Sequence, residues 1–430
     1  MRPRLRFALA AVAAVLGTGA ARADVEVTNT ILMRAGPQAR YGATPLATDT
    51  VAPVYEMLTL SARDVANPVA ERLELVVSAW GGANLGTNPW WNGYVNSGTF
   101  SGDLSLAFVK GEFGKGAVVA RLGRMMVAGG NSRMLQLDGA SLLWRAPAGF
   151  SLSAFGGSPV SARFDARGGP QDANPVSGDV AAGGRLAWTH QVLELGASAL
   201  MAWDTGSTSR EEVAGDLRLS PLRWLDVLAS GSYAMDRSQW AEIAGSAIVR
   251  ASSALSVSLD YRHTIPSLFL SSQSILWVFS DAYREDVGAN VRWSPSRAVS
   301  IDVGGALLLS EDGFRALGRL TWRPDRLGAV GVEGSWLDAT DNAYGYGRVF
   351  ASRRFGSLTA TLDLQAMHFD PQVNLQDWSY LGSASLGLPI AKGLSATVAA
   401  SAGVTPWYEN RYDLVAKLVW QNFPAREVRP

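Results

Sequence analysis

From about residue 54 onward the chain alternates apolar and polar residues with period two. Over 255–262 every odd residue is apolar and every even one polar. Leu358, Ala360, Leu362 and Leu364 alternate with Thr359, Thr361, Asp363 and Gln365, and Tyr412, Leu414, Ala416, Leu418 and Trp420 with Asp413, Lys417 and Gln421. Successive side chains of a strand point to opposite faces, so each stretch predicts a strand with one apolar and one polar face. Helical periodicity competes in none of them.

A soluble sandwich would also alternate, so the connections decide. Short links marked by Pro or Gly, at 146–149, 220–222, 294–297, 324–326, 355–356 and 389–393, take turns with more variable ones. Of the latter, those at about 82–97, 158–178 and 265–281 are long. Tight turns at one end and longer loops at the other are the asymmetry of an outer-membrane barrel. Trp144, Trp188, Trp293, Trp322 and Trp420 each close a strand that runs toward a short link or the C-terminus. Each shares parity with the apolar residues of its strand, which predicts an outward ring of indoles at one level. A membrane–water interface selects such a ring, because indole is amphipathic. Trp336 and Tyr261, nearer the long links, are candidates for the opposite girdle.

The pattern therefore predicts an all-β, transmembrane antiparallel β-barrel over 24–423, followed by a short tail, 424–430. Hairpins read from residue 54 give about 21 strands, and the first (54–64) and last (409–421) both run toward the short-turn end. A chain entering from that end needs one more strand, which 25–33 supplies. The count is about 22 strands, within a range of 18–22, and it leaves no residues for a plug domain.

Composition narrows the function. Hydrophobic residues make up 47% of the 430 and charged residues only 18%, too apolar and too weakly charged for a disordered chain. With no cysteine there is no thiolate metal site, disulfide or covalent haem attachment, and no cofactor or metal is expected. Beyond the first ~25 residues no apolar run reaches the ~20 residues of a membrane helix. Lys and Arg number 38 against 38 Asp and Glu, so no positive field exists to attract nucleic acid. Arg2, Arg4 and Arg6, an apolar stretch over 7–16 and Ala21-Arg22-Ala23 form a signal peptide pattern over 1–23. It predicts export toward a Gram-negative outer membrane and a mature start at Asp24. Removing it takes away four arginines and no acid, leaving 34 basic against 38 acidic groups. An acylated anchor is excluded, since it needs a cysteine at the cleavage point.

Parity places Arg121, Arg185, Arg218, Arg262, Arg292 and Arg319 on the inner face, with Asp103, Asp216, Asp260, Glu333, Asp363 and Asp413. A barrel this wide cannot fill its lumen with side chains. Such charges pair across strands and hold the wall in register. Taken together they also make a mixed-charge, pore-lining surface for small polar solutes. The link 265–280 is unusually apolar; Phe269, Trp277 and Phe279 are its anchors, as a constriction in the mouth, as cover for a partner, or packed on neighbouring loops.

Arg121-Leu122-Gly123-Arg124-Met125-Met126, followed by Leu137-Asp138-Gly139, resembles a hairpin of bacterial outer-membrane porins, nearest to the alginate-export-like porins. Met125 stands where that pattern has Gln. The resemblance covers about 20 residues and implies a channel for small anionic or neutral solutes, without supporting alginate. The stretch 414–423 looks like the terminal strand read by barrel-assembly machinery, although 424–430 follow it.

The expected function is thus a porin-like channel whose surroundings are outer-membrane lipid and lipopolysaccharide. A second class is a barrel sleeve or scaffold around a partner protein of an electron-transfer or secretion complex. A third is an adhesive barrel working through its loops. Catalysis has little support: the three histidines are His190, His263 and His368, and His368-Phe369-Asp370 is a lone imidazole–carboxylate pair of the kind chance supplies.

Overall fold

The computed structural model describes residues 24–39, 48–65, 69–85, 100–128, 134–160, 180–204, 207–265, 283–340, 342–406 and 408–422. They form one antiparallel sheet. Its segments are β1 (Asp24–Ala39), β2 (Thr48–Val51), β3 (Pro53–Arg63), β4 (Arg72–Asn84), β5 (Phe100–Phe113), β6 (Val118–Ala128), β7 (Met134–Arg145) and β8 (Phe150–Pro159). There follow β9 (Val180–Thr189), β10 (Leu193–Asp204), β11 (Ser207–Leu222), β12 (Leu225–Ala234), β13 (Gln239–Arg250), β14 (Leu255–Thr264), β15 (Arg284–Trp293) and β16 (Val299–Leu308). The last are β17 (Gly313–Asp325), β18 (Gly328–Ala339), β19 (Asn342–Phe355), β20 (Leu358–Val373), β21 (Gln376–Ala391), β22 (Leu394–Thr405) and β23 (Tyr408–Asn422). β2 and β3 pair with β1 in one continuous register, interrupted only at Ala52, so they are two pieces of one strand. β1 also pairs with β23, from Val27↔Asn422 to Ala35↔Leu414, and closes the ring. The wall is a closed barrel of 22 strands, the number that parity counting predicts, and its first strand is longer than 25–33.

The turn boundaries depart from the expected ones for a common reason. β11, β17 and β21 run on to Leu222, Asp325 and Ala391, and their turns are Arg223-Trp224, Arg326-Leu327 and Lys392-Gly393. Each of these strands has a register shift at its end, between Leu219 and Leu222, Trp322 and Asp325, and Pro389 and Ala391. Pro221 and Pro324 sit in those shifts, and Pro389 borders its own. Proline lacks the N–H that a ladder needs, so it bulges the strand before the turn instead of ending it. At the other end the links are not all long: β20 and β21 join through Asn374-Leu375, both at positive φ, the tight hairpin geometry.

The register sorts side chains into two faces. One carries Leu, Val and Trp in the open, including Leu259 at 59% and Trp322 at 52% exposure. The other carries most of the charges and lines the lumen. Aromatic side chains edge the apolar face at both ends. Trp322 and Phe314 lie eight residues apart on β17, and Trp420 and Tyr412 the same distance apart on β23. Eight residues span about 27 Å along a strand, or about 20 Å along the axis at a tilt of ~40°.

Two local features interrupt this regularity. On the lumen face Met125, Val127, Leu137, Phe155, Ala181 and Leu200 form a buried apolar cluster. Beside it, the pairing of β5 with β6 stops at Ala107↔Arg124, although β5 continues to Phe100 and β6 to Ala128. Side chains bridge the split. Arg124 donates to the Leu104 carbonyl (2.9 Å) and to both Asp138 oxygens (2.7 and 2.8 Å), and Gln136 donates to the Ser105 carbonyl. Gly123 lies at φ +125°, and a Cβ there would be 2.2 Å from the Ala107 oxygen, so only glycine lets the two strands meet where they part.

Candidate functional site in the lumen wall

Register places Arg185, Arg218, Arg262, Arg292, Arg319, Asp216, Asp260, Glu333, Asp363 and Asp413 on the lumen face. Arg121 shares that face, with its guanidinium 5.9 Å from the Phe108 ring centroid. Asp103 pairs in register with Trp80 on the same side and reaches the β5–β6 split, where Arg124 stands 3.5 Å away. The motif arginine that forms ion pairs is therefore Arg124, not Arg121. A strict period of two misses it, because Arg124 has the parity of the exposed Leu122.

Most of these charges are paired across strands. Over β17–β20, Glu333 lies between Arg319 and Arg348 (3.8 Å from each). Arg348 also donates to Asp363 (Nε, 2.8 Å), which Gln365 holds from its other oxygen (2.8 Å). The Phe350 ring lies under both arginines, at 4.9 and 5.0 Å from its centroid. Over β9–β11, Arg185 joins Asp216 and Glu194 (3.1 Å each) across Gly196. A Cβ at Gly196 would collide with the guanidinium and the carboxylate alike, so glycine keeps that crossing open. Arg292 pairs with Asp302 (2.5 Å), and Asp413 takes Arg34 (2.7 Å) and Arg411 (3.2 Å) near the closure.

Sequence parity missed Arg34, Lys110 and Arg348. In β19 the lumen face reads Tyr344, Tyr346, Arg348, Phe350, while the outer face reads Gly345, Gly347, Val349, Ala351. The bulkier, more hydrophobic set is inside there, so hydrophobicity points the wrong way. The signal that could have found Arg348 is its direct register with Glu333.

Four of the expected lining residues come together at one place. Asp216, Arg218, Asp260 and Arg262 border a trough of about 870 Å³ along β10–β18, with Asp286, Asn290 and Arg315. Its floor is made of small side chains, among them Ser230, Ala244, Ser246, Gly288, Gly304 and Ala306. Asp260 is held by two hydroxyl donors, Ser246 (2.7 Å) and Ser258 (2.9 Å). Arg262 only just reaches Glu242, at 4.0 Å. Among the described residues Arg218 and Arg315 have no carboxylate within ion-pair distance. Asp216 is neutralised by Arg185, and the remaining charges of the trough present both signs to water.

Trp144, Trp293, Trp322 and Trp420 lie outward and exposed near the turn end. Trp188 is half-buried there, its ring 6.3 Å from Phe150, and its N–H donates to the Ala148 carbonyl (3.1 Å). Trp224, in the β11–β12 turn, joins them unforeseen. Trp336 and Tyr261 lie on the outer face toward the loop end, with Trp240, Trp378, Tyr380 and Tyr412. His368 is also outward, edge-on to Trp378 at 4.7 Å, and makes no hydrogen bond to Asp370. Phe269, Trp277 and Phe279 lie outside the described residues, as do 1–23 and 423–430. Among the described residues no three His, Asp or Glu side chains converge as a metal site.

No protein-family model matches the chain, and no curated protein matches it in sequence. The alginate-export-like likeness therefore rests on the hairpin residues alone. Solved structures are similar at low identity. They include OccAB4 of Acinetobacter baumannii (8% identity, 93% of this chain and 98% of that one, TM-score 0.45). The outer membrane protein OpdK of Pseudomonas aeruginosa is another (9%, 93% and 98%, TM-score 0.40). The translocation pore of the P pilus usher PapC is a third (10%, 93% and 100%, TM-score 0.46). Likenesses this distant say nothing of activity, and the barrel rests on its own register.

Proposed function

We propose that the chain is an outer-membrane channel, porin-like, that passes small polar or charged solutes through a water-filled lumen. One observation carries the reading: a closed wall whose outer face is apolar between two aromatic edges, and whose inner face is lined with charges of both signs. An apolar band of ~20 Å matches the ~25 Å band of such barrels, and its aromatic edges match the girdles at their interfaces. The proposed orientation puts the tight turns on the periplasmic side and the long links outside. Residues 1–23 act as the signal that exports the chain, and lipid with lipopolysaccharide surrounds the apolar face. The alginate-export-like likeness adds anions to the solutes worth testing.

A ring of 22 strands about 4.8 Å apart and tilted ~40° is about 40 Å across between backbones. At physiological salt the field of a wall charge decays within ~8 Å. Wall charges therefore act on solutes near the wall, and a lumen of this width also has room for a partner protein, the sleeve reading. Planar-bilayer recording tests the channel: discrete conductance steps are expected from the purified protein. Persistent silence of folded, inserted protein would refute the channel and leave the sleeve standing.

A further inference from the structure

We infer that the turn-end mouth of the barrel is a docking surface for an acidic soluble protein. The observation is a ring of uncompensated cations. Arg145, Arg223, Arg297, Arg323, Arg354 and Lys392 lie in or beside the turns that follow β7, β11, β15, β17, β19 and β21. All six are exposed, and among the described residues none has a carboxylate within ion-pair distance. Where the wall needs a pair at this end it makes one, as between Arg353 and Asp325 (2.8 Å) or Arg250 and Asp226. Two of the six are oriented by main-chain acceptors, Arg145 by the Gly116 carbonyl and Arg354 by the Gly356 carbonyl (2.8 Å each). Those bonds fix the guanidinium without neutralising it. At the loop end the balance reverses, with Glu311, Asp312, Asp338 and Asp370 exposed.

Position decides what the ring fits. Arg145 is in register with Ser151, on the face of Arg121 and Ser141; Arg354 is in register with Thr359, on the face of Asp363; and Arg323 follows Arg319 and Thr321. These three belong to the lumen side of the wall, away from lipid headgroups at the outer edge. Successive turns stand two strand spacings apart, about 10 Å. A small anion can meet one or two of the cations, whereas an acidic protein surface can meet most of them together. Many weak, screened contacts then add up to a long-range attraction that falls steeply with salt.

The test places the full barrel in nanodiscs of zwitterionic phosphatidylcholine and measures binding of a fluorescent polyglutamate chain of ~50 residues in ~50 mM salt. The wild type is expected to bind and to lose at least ~10-fold in affinity at ~500 mM salt. The fourfold variant Arg145→Gln, Arg223→Gln, Arg323→Gln, Arg354→Gln is expected to bind at least ~10-fold more weakly, and the corresponding fourfold Lys variant to retain binding. Heat-dependent electrophoretic mobility reports folding. If the Gln variant does not fold, the turn variants R297Q and K392Q are each expected to weaken binding by about 2-fold. Absence of wild-type binding, or equal binding by the variants, would overturn the inference. So would abolition by added phosphatidylglycerol, which would assign the ring to lipid, or equal competition by free glutamate at matched charge, which would make it a small-anion site. The assay reads the mouth whether or not the lumen conducts, so its failure and that of the channel reading are distinct.

Discussion

Leu364 and Gln365 are neighbours on β20, and the barrel assigns them opposite solvents. Leu364 is 48% exposed on the outer face, opposite Val349 and Gly382. It lies six residues from Leu358 at the turn end of β20 and four from His368 toward the loop end, close to the middle of the apolar band. An arginine on the lipid face of such a barrel costs about 2–4 kcal/mol at the midplane and about 0–1 near the interfaces. Leu364→Arg should therefore destabilise the folded barrel by about 2–4 kcal/mol, roughly a 30- to 1,000-fold shift in the folding equilibrium. Gln365→Arg places the same group in the lumen beside Asp363, where water and a carboxylate receive it, and should cost under about 1 kcal/mol. Guanidinium titration in lipid vesicles, followed by tryptophan fluorescence, measures both. Equal costs, or a larger cost at Gln365, would refute the face assignment and with it the membrane reading.

Other predictions follow from particular contacts. Arg348→Met leaves Asp363 and Glu333 without their shared partner and should cost about 1–3 kcal/mol, with Arg348→Met/Asp363→Leu costing less than the two singles summed; a double-mutant cycle in vesicles measures the coupling. Gly123→Ala forces a Cβ onto the Ala107 oxygen and should cost at least about 2 kcal/mol, read by the same titration. Arg124→Ala should speed amide exchange at the upper ends of β5 and β6, where side chains stand in for missing ladder bonds, and leave exchange in β17–β20 unchanged. If the lumen conducts, the basic turn end and acidic loop end should make current rectify at ~10 mM salt, where the Debye length is ~30 Å, and become symmetric at ~1 M, where it is ~3 Å. Symmetric current at both salts would count against that charge asymmetry.

The barrel was legible because its outer face obeys one rule for most of its circumference. In β14, β20 and β23 the apolar parity is the outward parity, and strand, face and girdle all follow from it. The rule failed where bulk and polarity part company. The Tyr344-Tyr346-Phe350 face of β19 turns inward because glycine and alanine suffice outside, and Arg348 was lost with it. At the β5–β6 split, Met125 and Leu137 take the lumen side and Arg124 the other. There a buried cluster and a glycine at positive φ outrank alternation. The trough was out of reach for another reason. Asp260 and Arg315 lie 55 positions apart in the chain, and only the register through Gly288 and Ala306 brings them onto one row.

The closure of the ring sets a condition on how the molecule is made. Its last nine register pairs join residues 27–35 to residues 414–422, almost the full length of the chain apart. Every other seam joins neighbours in sequence and can form as soon as its hairpin exists. This one cannot form until the final strand has been synthesised and delivered. Until then the sheet has two open edges, each a row of unpaired amides more than ten residues long, the form most prone to pair with the wrong chain. A chain truncated even at β23 would keep 21 strands' worth of local pairing and still be an open sheet. Closure of the ring is decided at a single join, by β1 and β23 finding each other.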